Sequence, residues 1–277
     1  MRIVPAACAF LLLAAACALA FRGFGPPAAP RPLIVEGAGP PEAGADGVRP
    51  LRILFVGNSY THANGLPSMV RNIAGSAGGR PVETGMVAMD SASLGELWAM
   101  ERPRAALASG RWDIAVFQEH SAWTVSPDRA AASALSFRLW AAEARSRGAR
   151  PAVYGTWPER PGSPLYAGGP GSPMRGYASM LAAIRTGAPP AARAAGAELV
   201  PVGDLWDAAL RRDPGVVLWH PDGHHPSVAG TYLAALGLAR ALAGTDPSKV
   251  AWRPDGMDGR LAEILRGVAA GGIPPGP

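Results

Sequence analysis

Leu51-Arg52-Ile53-Leu54-Phe55-Val56-Gly57-Asn58-Ser59-Tyr60 is the stretch from which the fold can be read. Ile53 to Val56 are consecutive apolar residues with no polar alternation, the kind of run that is buried on both faces of a parallel sheet. It stops at Gly57-Asn58-Ser59, three residues that favour a turn. Four further short apolar runs follow at 82–88, 112–118, 152–156 and 198–202. Longer helical stretches at 66–77, 93–108, 129–147 and 173–195 separate them, and one at 228–242 follows the last. This alternation predicts βα units and an α/β fold, a three-layer α/β/α sandwich around a parallel five-stranded sheet.

The composition changes outside this region. Met1 and Arg2 lead into an apolar run from Ala6 to Ala20, and Ala18-Leu19-Ala20 fits the small-x-small rule for cleavage, so residues 1–20 read as a secretory signal. Leu13-Ala14-Ala15-Ala16-Cys17 loosely resembles a bacterial lipoprotein box, and an uncleaved run could act as a short membrane anchor. Cleaved signal, lipoprotein and anchor all stay open, and each predicts an exported, periplasmic, extracellular or envelope-associated protein. Residues 21–50 are dense in Pro, Gly and Ala and read as a flexible linker, 51–267 as the folded domain, and 268–277 as a disordered tail. The Gly- and Pro-rich stretch 158–173 reads as a mobile flap beside the strand ends.

Composition removes several chemistries. The only two cysteines, Cys8 and Cys17, lie in the leader, so the domain has no thiol for a disulfide, a zinc site or a nucleophile. A net charge of +5, with arginines scattered and no dense basic stripe, speaks against a nucleic-acid partner. No oligomeric state follows from the sequence.

Ligands of an open parallel sheet bind beyond the carboxyl ends of its strands, so the residues after each strand carry the chemistry. These are Gly57-Asn58-Ser59-Tyr60, Asp90-Ser91-Ala92-Ser93, Gln118-Glu119-His120-Ser121 and Trp157, with His220-Pro221-Asp222-Gly223-His224-His225-Pro226-Ser227 near the chain end. A serine is a weak nucleophile until a base removes its proton, and that base needs a third group to fix its tautomer. Asp222 and His225, three residues apart, supply both. Pro226 suits the first turn of a helix, whose dipole disfavours imidazolium at His225, and Asp222 offsets that cost. The competing readings are a helix cap and a metal cluster of His220, Asp222, His224 and His225. Those four residues share one short turn with no cysteine or distant His pair beside them, so no metal is expected. An α/β-hydrolase elbow is ruled out by Thr61 where Gly-x-Ser-x-Gly requires glycine.

Gly57-Asn58-Ser59 after the first strand, with Asp222-Gly223-His224-His225-Pro226 near the end, resembles the SGNH (GDSL-like) hydrolase superfamily over roughly 51–242. The resemblance implies a flavodoxin-like sheet, ester or acyl-transfer chemistry and no metal or organic cofactor. It also implies Ser59 as nucleophile, His225 as general base and acid, and Asp222 as the group that orients it. The family usually has a Gly after the second strand and an Asn after the third as oxyanion donors. Here Ser91 lies nearest the Gly, where the donor is main chain, and Gln118 stands at the Asn with the same two amide hydrogens on a longer stem. Ser59, Ser91 and Gln118 are therefore the expected oxyanion hole. Some family branches that act on acetylated carbohydrates are similar in carrying Gln-Glu at this block. Asn58, Glu119 and Trp157 are the expected substrate contacts, Trp157 by stacking on a sugar ring, with His62, His120 and His224 at the edge. The reading is an exported serine esterase acting through an acyl-Ser59 intermediate on a small-molecule or carbohydrate ester. Its rivals are a glycan O-acyltransferase using the same residues and a silent envelope glycan-binding protein.

Overall fold

The computed structural model of the chain describes residues 31–37, 48–109, 112–167 and 174–271. The leader read at 1–20 lies outside the described residues, as do most of the linker, 168–173 of the flap and the tail from 272.

Six strands, β1 (Leu33–Glu36), β2 (Leu51–Gly57), β3 (Val82–Met89), β4 (Ile114–Gln118), β5 (Arg150–Gly155) and β6 (Glu198–Pro201), form one sheet in the order β1-β3-β2-β4-β5-β6. The last five are parallel throughout. Ten α-helices accompany them among the described residues: α1 (Ser59–His62), α2 (Leu66–Ser76), α3 (Leu94–Ala99), α4 (Glu101–Ser109), α5 (Ser121–Val125), α6 (Ala130–Ser146), α7 (Tyr177–Ala195), α8 (Val202–Arg212), α9 (Val228–Ala243) and α10 (Gly259–Ala270). Alternate residues of β2 feed opposite cores. Ile53 and Phe55 join Ile73 of α2, Trp206 of α8 and Leu236 of α9, whereas Leu54 and Val56 join Leu97 of α3 with Phe137 and Trp140 of α6. Both faces of β2 are sealed by helices, which is why its sequence shows no polar alternation.

The chain leaves β2 for β3 on one side and then crosses to β4 on the other. This reversal opens a crevice at the carboxyl ends of β2 and β4, the topological switch point of the sheet. Gly57-Asn58-Ser59 and Gln118-Glu119 stand at its two lips.

The α/β/α fold agrees with the reading of the sequence, and the differences have local causes. A sixth strand, β1, arises inside the stretch read as linker, pairing antiparallel to β3 from Leu33↔Met89 to Glu36↔Met86. Leu33-Ile34-Val35 has strong strand preference, but only its first half is shielded, and Pro32 and Gly37 bracket it. So short an edge strand resembles linker until its partner is known. The single helix expected at 93–108 is two, because the Pro103 ring cannot be donor to, and collides with, the carbonyl of Ala99; Met100 is extended (φ −88°, ψ 144°). Helices α8 and α10 were not foreseen. The former starts directly at the end of β6 with no intervening loop, and the latter runs past the expected domain boundary at 267. The start of the flap is held: Pro158 and Glu159 are buried, and Arg160 N–H donates to Gly223 O at 2.9 Å.

Candidate active site

Asn58 follows β2 and caps α1, its side chain accepting from Tyr60 N–H at 3.1 Å. That cap turns the chain sharply and leaves Ser59 as the first residue of α1 at the crevice. The Ser59 hydroxyl lies 2.9 Å from His225 Nε2, and His225 Nδ1 lies 2.9 Å from Asp222 Oδ2. A carboxylate only accepts, so Nδ1 carries the proton and the Nε2 lone pair faces the serine O–H.

Asp222 is held by more than one histidine. His220 Nδ1 also donates to Oδ2 at 2.9 Å, while Oδ1 accepts the main-chain N–H of His224 at 2.8 Å and of His225 at 2.9 Å. Partial burial opposes ionisation, but these N–H donors outweigh it and hold the carboxyl well below the usual carboxylate range. The turn is closed by a bridge between Trp219 and Pro226 and by His220 N–H donating to His225 O at 2.8 Å.

Beneath this loop lies an aromatic stack. Tyr60 and Trp157 are stacked at 4.9 Å, and Trp157 and Trp206 at 4.0 Å with planes 3° apart. His224 sits between the Tyr60 hydroxyl (2.8 Å) and the buried Glu159 carboxylate (2.6 Å). Burial and the nearby Glu159 charge push the Tyr60 hydroxyl well above its usual pKa, so it remains a donor.

The site is a cleft of about 540 Å³ lined by Ser59, His62, Asn64, Ser91, Asp222 and His225, among others. Ser59, Asp222, His225 and Ser91 therefore converge as expected. His62 joins them in the cleft lining, whereas Trp157, Asn58, Glu119 and Gln118 do not, for a common reason. Trp157 is 1% exposed with Tyr60 and Trp206 on its faces, which leaves no surface for a sugar. Asn58 is fully buried and spends its amide on Ala92 O at 3.0 Å. Glu119 is 2% exposed and accepts from His120 N–H at 2.9 Å and Leu94 N–H at 3.0 Å. Gln118 is a clamp rather than an oxyanion donor: Oε1 accepts from Asn58 N–H (2.9 Å) and Thr61 Oγ1 (2.8 Å), and Nε2 donates to Asn58 Oδ1 (3.0 Å). Its longer stem folds back onto the β2 turn. His224, expected at the substrate edge, is tied to Tyr60 and Glu159.

Two residues were missed. Asn64, left-handed at φ 53°, donates from its side-chain amide to Pro226 O at 3.1 Å and Thr231 Oγ1 at 2.8 Å, tying the serine segment to the histidine loop. The Asn64-Gly65 pair signals a turn in sequence, not this bond. Glu159 was hidden in the flap.

Ser91 explains the glycine usual at its position, because its φ is +53°. Left-handed backbone costs a residue with a Cβ about 1–2 kcal/mol; glycine removes that cost, and the greater chain entropy of unfolded glycine offsets part of the gain. Ser91→Gly is expected to stabilise the protein by about 0.5–1 kcal/mol, read as a melting temperature roughly 1–3 °C higher. A lower one would show that the hydroxyl is needed.

Burial pushes the Glu119 carboxyl up to about 8, against the two N–H donors that favour its charge. A raised folded value means stability is full below the unfolded carboxyl range and declines as pH rises toward 8. Between pH 5 and 8 the melting temperature should therefore fall more steeply in the native chain than in Glu119→Gln. Parallel curves would refute this.

A parallel sheet with a Ser–His–Asp chain at its switch point is the arrangement of a serine hydrolase built on a flavodoxin-like fold. No protein-family model matches the chain, and no curated protein does. Among solved structures, a protein from Slackia heliotrinireducens assigned to the SGNH hydrolases is 32% identical with a TM-score of 0.57, covering 69% of this chain and 98% of that one. A DUF4886 family protein from Bacteroides uniformis shares the fold at 18% identity and a TM-score of 0.63, covering 81% and 95%. The acetyl xylan esterase AlAXEase does so at 12% and 0.53, covering 69% and 100%. The chain belongs to the SGNH hydrolases, and it is an ester-hydrolysing serine hydrolase.

Proposed function

We propose that the protein is an exported esterase that removes short acyl groups through an acyl-Ser59 intermediate, with a carbohydrate ester as substrate class. The observation that supports it is the continuous hydrogen-bonded chain from Ser59 through His225 to Asp222, which a silent glycan-binding protein would not need. His225 Nε2 takes the Ser59 proton as Oγ attacks the ester carbonyl, then returns it to the leaving alcohol. Water repeats the cycle in reverse to release the acid. Ser59 and Ser91 both line the cleft, and their main-chain N–H groups are assigned as the oxyanion donors, without help from Gln118.

The cleft walls argue for the acyl size. Binding a long chain draws on about 0.8 kcal/mol per buried methylene, which needs an aliphatic or aromatic lining. Ala63 and Pro226 are the aliphatic residues among those lining it, and the others carry imidazole, carboxylate, amide or hydroxyl groups. Export rests on the leader at residues 1–20.

A fluorophosphonate should label the native chain on the peptide bearing Ser59, and acetate esters should be turned over faster than octanoates. Labelling elsewhere, or a preference for the longer acyl group, would overturn the assignment.

A further inference from the structure

The reaction uses His225 and Asp222 but leaves a second imidazole–carboxylate pair in the same cleft without a role. His62, the last residue of α1, places Nε2 2.5 Å from Asp90 Oδ1, just beyond β3. Both residues line the cleft with Ser59, and the Asp90 side chain is 55% exposed there.

The turn that carries Asp90 is fixed from several directions. Arg31, just before β1, donates from Nη1 to Asp90 O at 2.8 Å and from Nη2 to Glu96 Oε1 at 2.7 Å. Glu96 in turn closes a capping box with Ser93 at the start of α3. Ser91, the next residue, adopts the left-handed conformation. Backbone held in such a conformation by its surroundings is typical of functional turns. Asp90 therefore lines the cleft with Ser59, its backbone held by Arg31 and its Oδ1 engaged by His62.

Resting on the esterase reading above, we infer that His62 and Asp90 form the alcohol-side subsite, in which the Asp90 carboxylate accepts hydrogen bonds from free hydroxyls of a polyhydroxylated leaving group. A carboxylate is acceptor-only and makes strong hydrogen bonds to hydroxyl donors. Its fixation lowers the ordering cost of binding. His62 acts as a positioning residue: by occupying Oδ1 it aims Oδ2. The subsite selects a sugar over a plain alcohol and takes no part in bond making or breaking.

The test compares mono-O-acetyl xylobiose, which carries free hydroxyls, with p-nitrophenyl acetate, which has none, on the full chain. Asp90→Asn should lower kcat/KM for the sugar ester about tenfold more than for the nitrophenyl ester, with the loss in KM. His62→Phe should shift the ratio the same way, and Asp90→Glu should restore part of it. Equal losses on both esters, or no change in the ratio, would overturn the inference. Calorimetry of unesterified xylobiose against the native chain and Asp90→Asn supplies an arm independent of turnover, in which an affinity unchanged by the substitution likewise overturns it. Absence of turnover in the native chain would instead refute the esterase reading, and the calorimetry would still decide the subsite.

Discussion

Asp222→Asn is expected to lower kcat for p-nitrophenyl acetate by about 10⁴-fold, less than Ser59→Ala, while leaving the protein folded. The reason lies in the division of labour between the two oxygens. Oδ1 receives the main-chain N–H groups of His224 and His225, so the asparagine must keep its carbonyl there. Its NH2 then takes the place of Oδ2 and points at Nδ1 of His220 and His225. His225 satisfies that donor by moving its proton from Nδ1 to Nε2. An N–H then faces Ser59 Oγ, and the imidazole has no lone pair with which to take the serine proton. Steady-state kinetics and a melting curve check the claim together. A loss below tenfold would show that Asp222 does not set the tautomer, and a collapsed melting temperature would show that its main role is to hold the loop.

The triad candidates were legible because short-range spacing carried them. Asp222 and His225 are three residues apart on a Pro-bounded turn, and Ser59 ends the most apolar strand. The sheet was legible for a related reason: β2 and its neighbours are covered on both sides, so their apolar runs stand out against the helices. The site's supporting residues depend on contacts no local pattern encodes. Gln118 turns back 60 residues in sequence to the Asn58 N–H, Asn64 reaches across 162 residues to Pro226, and Glu159 meets His224 across 65. Polarity at a strand end predicted exposure for Asn58, Gln118 and Glu119, yet all are buried and spend their polar atoms on one another and on the turns that build the crevice. Trp157 was misplaced by the same logic, since a tryptophan at a strand end is as able to stack inward as outward.

Gly57→Ala should damage activity strongly, although the residue touches no substrate. Its backbone is not left-handed, so the constraint is space. A Cβ at this position would overlap Thr61 Oγ1 and Gln118 Oε1 far inside contact distance and come within 3.0 Å of Gln118 Cβ. Neither neighbour can swing away at small cost, because Gln118 is 1% exposed and its Oε1 is the acceptor for both Asn58 N–H and the Thr61 hydroxyl. Relief therefore comes from breaking those bonds, leaving a buried N–H unpaired at about 1–3 kcal/mol, or from shifting the β2 turn itself. Either movement displaces Ser59, two residues on, from His225 Nε2. A misplacement on the order of 1 Å costs a reacting pair about a hundredfold in rate. The expected result is a kcat lowered by about 10²-fold or more, with reduced fluorophosphonate labelling and a lower melting temperature. Retention of native kcat would show that the Gln118 clamp does not position the nucleophile. The companion Thr61→Ala separates the two contacts: it opens room on one side of Gly57, so a milder loss in Gly57→Ala/Thr61→Ala than in Gly57→Ala alone would locate the strain at Thr61, and an equal loss would locate it at Gln118.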